Sequence, residues 1–456
     1  MTQITIIGGG PGGYEAALVA ARQGAKVTVI ERDGVGGSTV LTDCVPSKTL
    51  IATSDLITEV EGAAELGVEV PREIHADLAA VNARVKRLAL AQSEDIAKRL
   101  ALSQIDVIAG SAFIEGPGVV LVAAGSGDRR IEADSILVAT GAHPRVSPDA
   151  QPDGERILTW EQVYELRELP EHLIVVGSGV TGAEFASAYN GLGARVTLVS
   201  SRDRVLPGED ADAANVIEDV FTRRGMQVMG KSRMASVERQ GDGVLVTLTD
   251  GRTVEGSHCL LALGSIPNTE GLGLENVGVE IGDGGFIRVD KVSRTSARGI
   301  YAAGDCTGVL MLASVAAQQG RIAMSHLLGD AVRPLDLGNV ASNIFTAPEI
   351  ATVGLSQVKI DESGLQVDVA TLPLAANPRA KMQGVHDGFV KLFSRGGMGI
   401  IIGGVVVGPR ASELIHSVSL AVSASLTVDQ MAEAFTVYPS MSGSVAEVAR
   451  RMHRQI

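Results

Sequence analysis

Two glycine-rich turns and one isolated thiol hold most of the chemistry this sequence can offer. The first turn, Gly8-Gly9-Gly10-Pro11-Gly12-Gly13, follows an apolar run at Ile4–Ile7 and precedes a helical pattern over Tyr14–Gln23. A second run, Lys26–Ile30, ends on Glu31. Gly8 permits a tight turn, Gly10 lets a pyrophosphate approach the backbone, and Gly13 lets helix and strand pack closely. The phosphates then face the amide donors and positive dipole end of a helix. Glu31 is placed to accept hydrogen bonds from ribose hydroxyls. A lone G-x-G-x-x-G says little; strand, helix and terminal acid together predict a dinucleotide site.

The second turn repeats the pattern. Leu173–Val176 reads as a strand, Gly177-Ser178-Gly179-Val180-Thr181-Gly182 as the fingerprint, Ala183–Leu192 as a helix and Arg195–Val199 as the next strand. Gly177, Gly179 and Gly182 take the three glycine roles, so two dinucleotides are implied. The terminal acid is missing, since the strand runs into Ser200-Ser201-Arg202-Asp203-Arg204. An acid there would favour NADH through the 2′-hydroxyl and repel a 2′-phosphate. Ser200, Arg202 and Arg204 leave room for that phosphate; two solvated surface arginines are the plainer alternative.

The thiol is Cys44, within Gly36-Gly37-Ser38-Thr39-Val40-Leu41-Thr42-Asp43-Cys44-Val45-Pro46-Ser47-Lys48. This stretch resembles the redox-active segment of the flavoprotein disulfide reductases, where G-G-T-C-x-x-x-x-C-x-P-S-K carries a disulfide beside the flavin. Here the second cysteine survives and the first has become Thr39. The resemblance extends through Ala139-Thr140-Gly141, Ala262-Leu263-Gly264, Gly304-Asp305, and the C-terminal stretches Phe345–Glu349, Gly388–Leu392 and Gly404–Glu413, and so covers essentially the whole chain. It implies an α/β fold: two Rossmann-like dinucleotide-binding domains plus an α+β C-terminal dimerisation domain. The expected divisions are an FAD-binding domain over 1–150, an NAD(P)-binding domain over 151–270, a central part completing the FAD domain over 271–335, and an interface domain over 336–456. Gly37, Lys48, Thr140, Gly141, Gly264, Gly304 and Asp305 become cofactor-binding positions by the same resemblance, with Asp305 holding the flavin ribitol.

In that family the lysine of the C-x-P-S-K turn pairs with a glutamate just past the second fingerprint, here Lys48 and Glu184. A cation near the flavin N5 stabilises the reduced flavin. A helix-surface lysine and a first-turn glutamate favoured by the dipole would look the same in sequence. Cys44, near the start of a helix expected from Pro46, gains thiolate character from the dipole and Lys48, or is an inert remnant. Cys306 and Cys259 read as packing residues. The family's H-P-T-x-x-E segment appears as Tyr438-Pro439-Ser440-Met441-Ser442-Gly443, so Tyr438 replaces the proton-shuttling histidine and Gly443 its orienting glutamate. A phenol with a pKa near 10 is a poor base at neutral pH.

One thiol, the base and its orienter are thus gone, while the parts for hydride transfer from NAD(P)H to FAD remain. The pattern is similar to the quinone reductases of the dihydrolipoamide dehydrogenase-like branch. The expected activity is an FAD-dependent NAD(P)H:quinone oxidoreductase acting as a homodimer. A soluble pyridine nucleotide transhydrogenase is one alternative, and a non-catalytic flavin-binding regulatory protein another.

Composition sets outer bounds. Of the 456 residues, 39 are basic and 53 acidic, a net charge of −14 that argues against a nucleic acid or anionic lipid surface as partner. Three scattered cysteines suggest neither a secreted disulfide scaffold nor a metal site. The longest apolar runs, such as Ile400–Val407, fall short of the ~20 residues a membrane helix needs. Those features read as a cytoplasmic protein with no integral membrane segment. Residues 49–110 read largely as helix, above all Leu78–Ala101.

Overall fold

The computed structural model describes residues 1–70, 74–125 and 127–453. The chain opens β1 (Gln3–Ile7), α1 (Pro11–Arg22), β2 (Lys26–Glu31), then two helices, α2 (Gly37–Leu41) and α3 (Cys44–Gly62). The long α4 (Leu78–Leu102) leads to β3 (Asp106–Gly116), β4 (Val119–Ala124), β5 (Arg129–Glu132), β6 (Ser135–Val138) and β7 (Ala142–Pro144). A second βαβ unit follows β8 (Ile157–Thr159), as β9 (His172–Val176), α5 (Val180–Gly191) and β10 (Arg195–Val199). It continues through α6 (Ala211–Arg223), β11 (Gln227–Met229), β12 (Met234–Gln240), β13 (Gly243–Leu248), β14 (Thr253–Gly256) and β15 (His258–Leu261). The chain then forms β16 (Ser265–Pro267), β17 (Ile300–Ala302) and α7 (Ala313–Leu327). The C-terminal part holds β18 (Ala341–Ile344), β19 (Glu349–Gly354), α8 (Gln357–Ser363), β20 (Val367–Pro373), α9 (Pro378–Met382), β21 (Phe389–Arg395), β22 (Ile401–Gly408), α10 (Ala411–Ser423), α11 (Val428–Glu433) and α12 (Gly443–Met452).

These elements gather into two compact units. The first takes Met1–Thr49, Asn82–Arg145 and Gly264–Asp336; the second takes Leu50–Val81, Val146–Leu263 and the chain from Leu337. In the first unit a seven-stranded sheet runs β17-β6-β1-β2-β3-β4-β5. Its first five strands are parallel, and β4 and β5 turn back antiparallel. Both faces are covered, which is why β1 is almost continuously apolar. Ile4, Ile6, Val27, Val29 and Leu137 pack on one side with residues of α1, α4 and α7. Ile7, Ile30, Ile108, Ile136 and Val138 face the other with Ile287, Ile300 and Cys306.

The second unit has a five-stranded parallel sheet, β11-β10-β9-β15-β8, a three-stranded antiparallel sheet, β12-β13-β14, and a five-stranded antiparallel sheet, β18-β19-β22-β21-β20. Cys259 lies inside β15, fully buried. A buried ion pair joins two of its parts: Lys391 Nζ on β21 reaches both carboxylate oxygens of Asp210 at 3.0 and 2.9 Å, and Asp210 caps the N-terminus of α6.

Two local expectations change. The helical reading of 49–110 fails at its end, where Asp106–Gly110 begins β3 and lies parallel to β2 with Thr28 opposite Asp106. Pairing with a neighbouring strand outweighs local propensity there. Residues 71–73 of that span lie outside the described residues. The helix expected from Pro46 begins two residues earlier, with Cys44 as its first residue.

Candidate active site

In the first unit the cradle is forced by sterics. Gly8 sits at φ +104°, donates its N–H to Ile30 O at 2.8 Å, and has no room for a Cβ, which would overlap Ala139 O. A Cβ on Gly13 would overlap Gly8 O. Gly10 is different: as the N-cap of α1 it has nothing closer than 3.9 Å to an added Cβ. That open space at a helix N-terminus is where a diphosphate can meet backbone donors. Gly37 closes the cradle from the side, because a Cβ there would lie 2.9 Å from Gly10 Cα. Glu31 Oε2 accepts from Gly9 N at 2.6 Å and its Oε1 from Asp33 N at 2.8 Å, which fixes the half-buried carboxylate at the end of β2.

The Asp305 turn belongs to the same unit. Gly304, at φ +83°, donates its N–H to Gln319 Oε1 at 2.8 Å, and its carbonyl accepts from Thr307 Oγ1 at 2.7 Å. Burial, and then the charge of Asp43, push the Asp305 carboxyl up to about 6. Cys306, next along, is buried and donates toward Ala303 O at 3.3 Å; burial raises its thiol to about 11. Thr140 Oγ1 donates to Asn268 O at 2.6 Å, Asn268 N donates to Gly141 O at 3.0 Å, and Asn268 Nδ2 returns to Thr140 O at 2.9 Å. That clasp sits where β7 pairs with β16, next to Gly264 at φ +91°. Gln319 and Asn268 escape a sequence reading of the site, because an amide on a helix or in a loop carries no motif.

Cys44 is half-buried at the head of α3, with Lys48 one turn on and also half-buried. None of the three cysteines forms a disulfide. Thr39 lies in α2.

The second unit repeats the cradle almost atom for atom. Gly177, at φ +115°, donates to Val199 O at 2.9 Å, and a Cβ on it would overlap Ala262 O. A Cβ on Gly182 would overlap Gly177 O, while Gly179, the N-cap of α5, has open space. Ser200 is fully buried, with its hydroxyl 2.6 Å from Ser178 Oγ. Arg202 is exposed; Arg204 is half-buried, and its Nε is buried with no hydrogen-bond partner. Val180 is exposed at the start of α5. Glu184, one turn on, is buried, and its Oε1 accepts from Phe345 N at 2.9 Å.

The last predicted segment is mostly in solvent. Phe435, Val437 and Tyr438 are exposed, Tyr438 at 82%. The chain is caught again just beyond, where Asn377 Nδ2 donates to Ser440 O at 3.1 Å and to Ser444 Oγ at 2.7 Å. Gly443 is simply the first residue of α12.

The sequence pattern of the pyridine nucleotide-disulphide oxidoreductases matches residues 2–320, and that of the same family's dimerisation domain matches residues 340–449. The chain belongs to the pyridine nucleotide-disulphide oxidoreductase family, and is a flavoprotein oxidoreductase that uses FAD and NAD(P)H. It is similar to an NAD(P)H dehydrogenase (quinone) of Mycobacterium tuberculosis, with 55% identity covering 99% of this chain and 94% of that one. A dihydrolipoyl dehydrogenase of Chlorobaculum parvum is 35% identical over 98% and 96% of the two chains. Among solved structures, LpdA from Mycobacterium tuberculosis superposes with a TM-score of 0.95 at 55% identity, covering all of both chains. The HOCl-induced flavoprotein disulfide reductase RclA from Escherichia coli does so with a TM-score of 0.88 at 28% identity, covering 98% of this chain and 99% of that one. Among the described residues no helix is long and apolar enough to cross a membrane.

Proposed function

We propose that this protein is an FAD-dependent NAD(P)H:quinone oxidoreductase that works without a catalytic disulfide. The observation that carries the reading is the state of its thiols. Cys44 stands at the redox turn outside any disulfide, and of the other two Cys259 is buried within β15 and Cys306 within the Asp305 turn, their thiols raised by burial. No intrachain dithiol relay can therefore form, and electrons must leave by an acceptor that needs none. A quinone fits, since it takes two electrons and draws its protons from solvent. The 55% identical relative named NAD(P)H dehydrogenase (quinone) supports the same acceptor.

FAD, when bound, supplies the two-electron carrier between nicotinamide and quinone. The chain's own residues do the rest. Gly8, Gly10, Gly13 and Gly37 admit the diphosphate, Glu31 takes the adenosine ribose, and Asp305 takes the ribitol, with Thr140, Gly141 and Gly304 shaping the turns around it. Lys48 holds positive charge against the flavin ring, and Glu184 borders the nicotinamide. Gly177, Gly179, Gly182 and Gly264 shape the nicotinamide nucleotide's cradle, with Ser200, Arg202 and Arg204 at its 2′ end. Cys44 and Tyr438 border the site without moving a proton. The protein acts as a cytoplasmic homodimer; exposed Phe435, Val437 and Tyr438 lie beyond the family's dimerisation strands and are covered by the second copy.

Steady-state turnover with NADH and NADPH against a panel of quinones, lipoamide and thio-NAD tests the proposal. Quinone turnover with no lipoamide reduction is expected. Efficient lipoamide or thio-NAD reduction with idle quinones would refute it.

A further inference from the structure

We propose that Lys391 is a positioning residue for nicotinamide-nucleotide binding: through Asp210 it anchors a turn whose other end holds the second glycine cradle in place. Its role rests on the assignment of that cradle to the nucleotide, made above, and holds whichever acceptor takes the electrons.

A lysine is almost never fully buried unless it is paired. On β21 the alternation sends Val390 and Leu392 into the C-terminal core and turns Phe389, Lys391 and Phe393 to the opposite face. Lys391 is 4% exposed, with its Nζ 5.5 and 6.0 Å from the ring centroids of Phe389 and Phe393. It donates to both oxygens of buried Asp210, at 3.0 and 2.9 Å, and to Oδ2 of exposed Asp212 at 2.5 Å. Burial pulls the ammonium's pKa down, but the bonds to Asp212 and Asp210 outweigh it and leave the pKa raised, so the charge persists. Desolvation offsets much of the attraction within a buried ion pair, and neutral groups of similar volume often replace one without loss of stability. What this pair does supply is a fixed place for Asp210.

Asp210 ends a short turn and begins α6, its Oδ1 accepting from Asp212 N at 3.1 Å and Ala213 N at 3.2 Å. Within the turn Glu209 N donates to Leu206 O at 3.0 Å, and at its far end Leu206 N donates to Ser178 O at 2.8 Å. Leu206 is buried at φ +51°, so the turn has little freedom between its two ties. Ser178 stands between Gly177 and Gly179, the open N-cap of α5. The first cradle uses the same device. Ile7 lies opposite Ile30 as Val176 lies opposite Val199, which makes Gly9 the counterpart of Ser178, and Gly36 N donates to Gly9 O at 2.8 Å. Each cradle thus has its central carbonyl held from outside, and in the second the hold leads back to Lys391. The other end of α6 has only an exposed clip, Arg223 Nη2 to Asp387 Oδ1, of a kind that contributes little.

The experiment is calorimetric titration of the full-length, FAD-loaded protein with ADP-ribose and with 2′-phospho-ADP-ribose, alongside thermal melting of each variant. Lys391→Met alone strands the Asp210 carboxylate and is expected to lower the melting temperature. Lys391→Met/Asp210→Asn removes both charges while asparagine still caps α6, and should melt near the native temperature. It should nonetheless bind both probes about tenfold more weakly, as when the competent turn is populated about one-tenth of the time. In stopped-flow reduction of FAD, the KM for NADH and for NADPH should rise together while the limiting rate stays within about twofold, the mark of lost uniform binding. Arg223→Ala should bind like the native protein. Gly179→Val has room in the fold but fills the approach of the diphosphate, and should abolish binding. Native-like affinity in the double variant, a double variant that does not fold, or an equal loss in Arg223→Ala overturns the role of Lys391 and leaves the cradle assignment standing. Undiminished binding in Gly179→Val overturns the cradle assignment and this proposal with it.

Discussion

Glu184 Oε1 accepts the backbone N–H of Phe345 at 2.9 Å, and one turn further along α5 Ser187 Oγ accepts that of Ala347 at 3.0 Å. One helix face thus ties down the segment leading into β19. Glu184 carries two separable duties: accepting this N–H and, in the proposed mechanism, lending its charge to the nicotinamide site. Glu184→Gln keeps an oxygen acceptor but loses the charge, whereas Glu184→Ala loses both. The alanine variant should be less stable by about 1–3 kcal/mol, the cost of stranding a buried donor. The glutamine variant should melt near the native temperature yet reduce FAD from NADPH about tenfold or more slowly, a loss of ~1.4 kcal/mol at the barrier. Stopped-flow absorbance and thermal melting separate the two; native-like reduction by both variants would remove Glu184 from the chemistry.

Electron capacity tests the isolation of Cys44. With no cysteine in a disulfide, anaerobic titration should end at two electrons per FAD, and Cys44→Ser should leave quinone turnover within a few-fold of native. Thr39→Cys alone should not create lipoamide reduction, because a missing acid–base group costs about 10²–10⁴-fold. Uptake of four electrons would mean that a second thiol takes part.

At the nucleotide's far end, Arg202→Ala/Arg204→Ala should raise the KM for NADPH and leave that for NADH nearly unchanged. Each arginine–phosphate contact is of the charged hydrogen-bond kind, about 1.5–3 kcal/mol. Equal effects on both nucleotides would make the arginines ordinary surface residues.

Val180 is 44% exposed at the start of α5, beside the second cradle. FAD reduction should be fast and not rate-limiting in the native protein, and Val180→Tyr should slow it. A rate-limiting reductive step in the native protein would count against open access.

Asp55 on α3 offers a pH test away from the site. Burial, then the charges of Glu349 and Glu59, push its carboxyl up to about 6 from the ordinary 3.8. The folded state therefore binds this proton more tightly than the unfolded chain does. The sign follows: stability is greatest below the unfolded value and falls as pH rises from about 4 through 6, where the carboxylate must ionise in place. Asp55→Asn should raise stability at about pH 7.5 by on the order of 1–2 kcal/mol, after allowance for solvent screening, and should have little effect near pH 4. Melting curves at the two pH values decide it; a variant no more stable at high pH would mean Arg224 already balances the charge.

Both fingerprints were legible because their glycines answer to local stereochemistry. Gly8 and Gly177 need positive φ, and Gly13 and Gly182 need the missing Cβ, whatever the rest of the chain does. The loss of the disulfide was equally plain, since it depends on residue identity alone: threonine at 39 cannot bridge to Cys44. Tertiary structure alone decided the rest. Asp106–Gly110 became strand because β2 offered a parallel edge, and α3 began at Cys44 rather than Pro46. Gln319 reached Gly304 across the turn that carries Asp305, and Glu184 found Phe345, 161 residues away. Ser178 met Ser200 only because β9 and β10 align in register. A backbone angle or a missing side chain is a property of one position and can be read along the chain. A hydrogen bond between distant groups exists only once strand register and helix packing have placed both ends within 3 Å or so of each other.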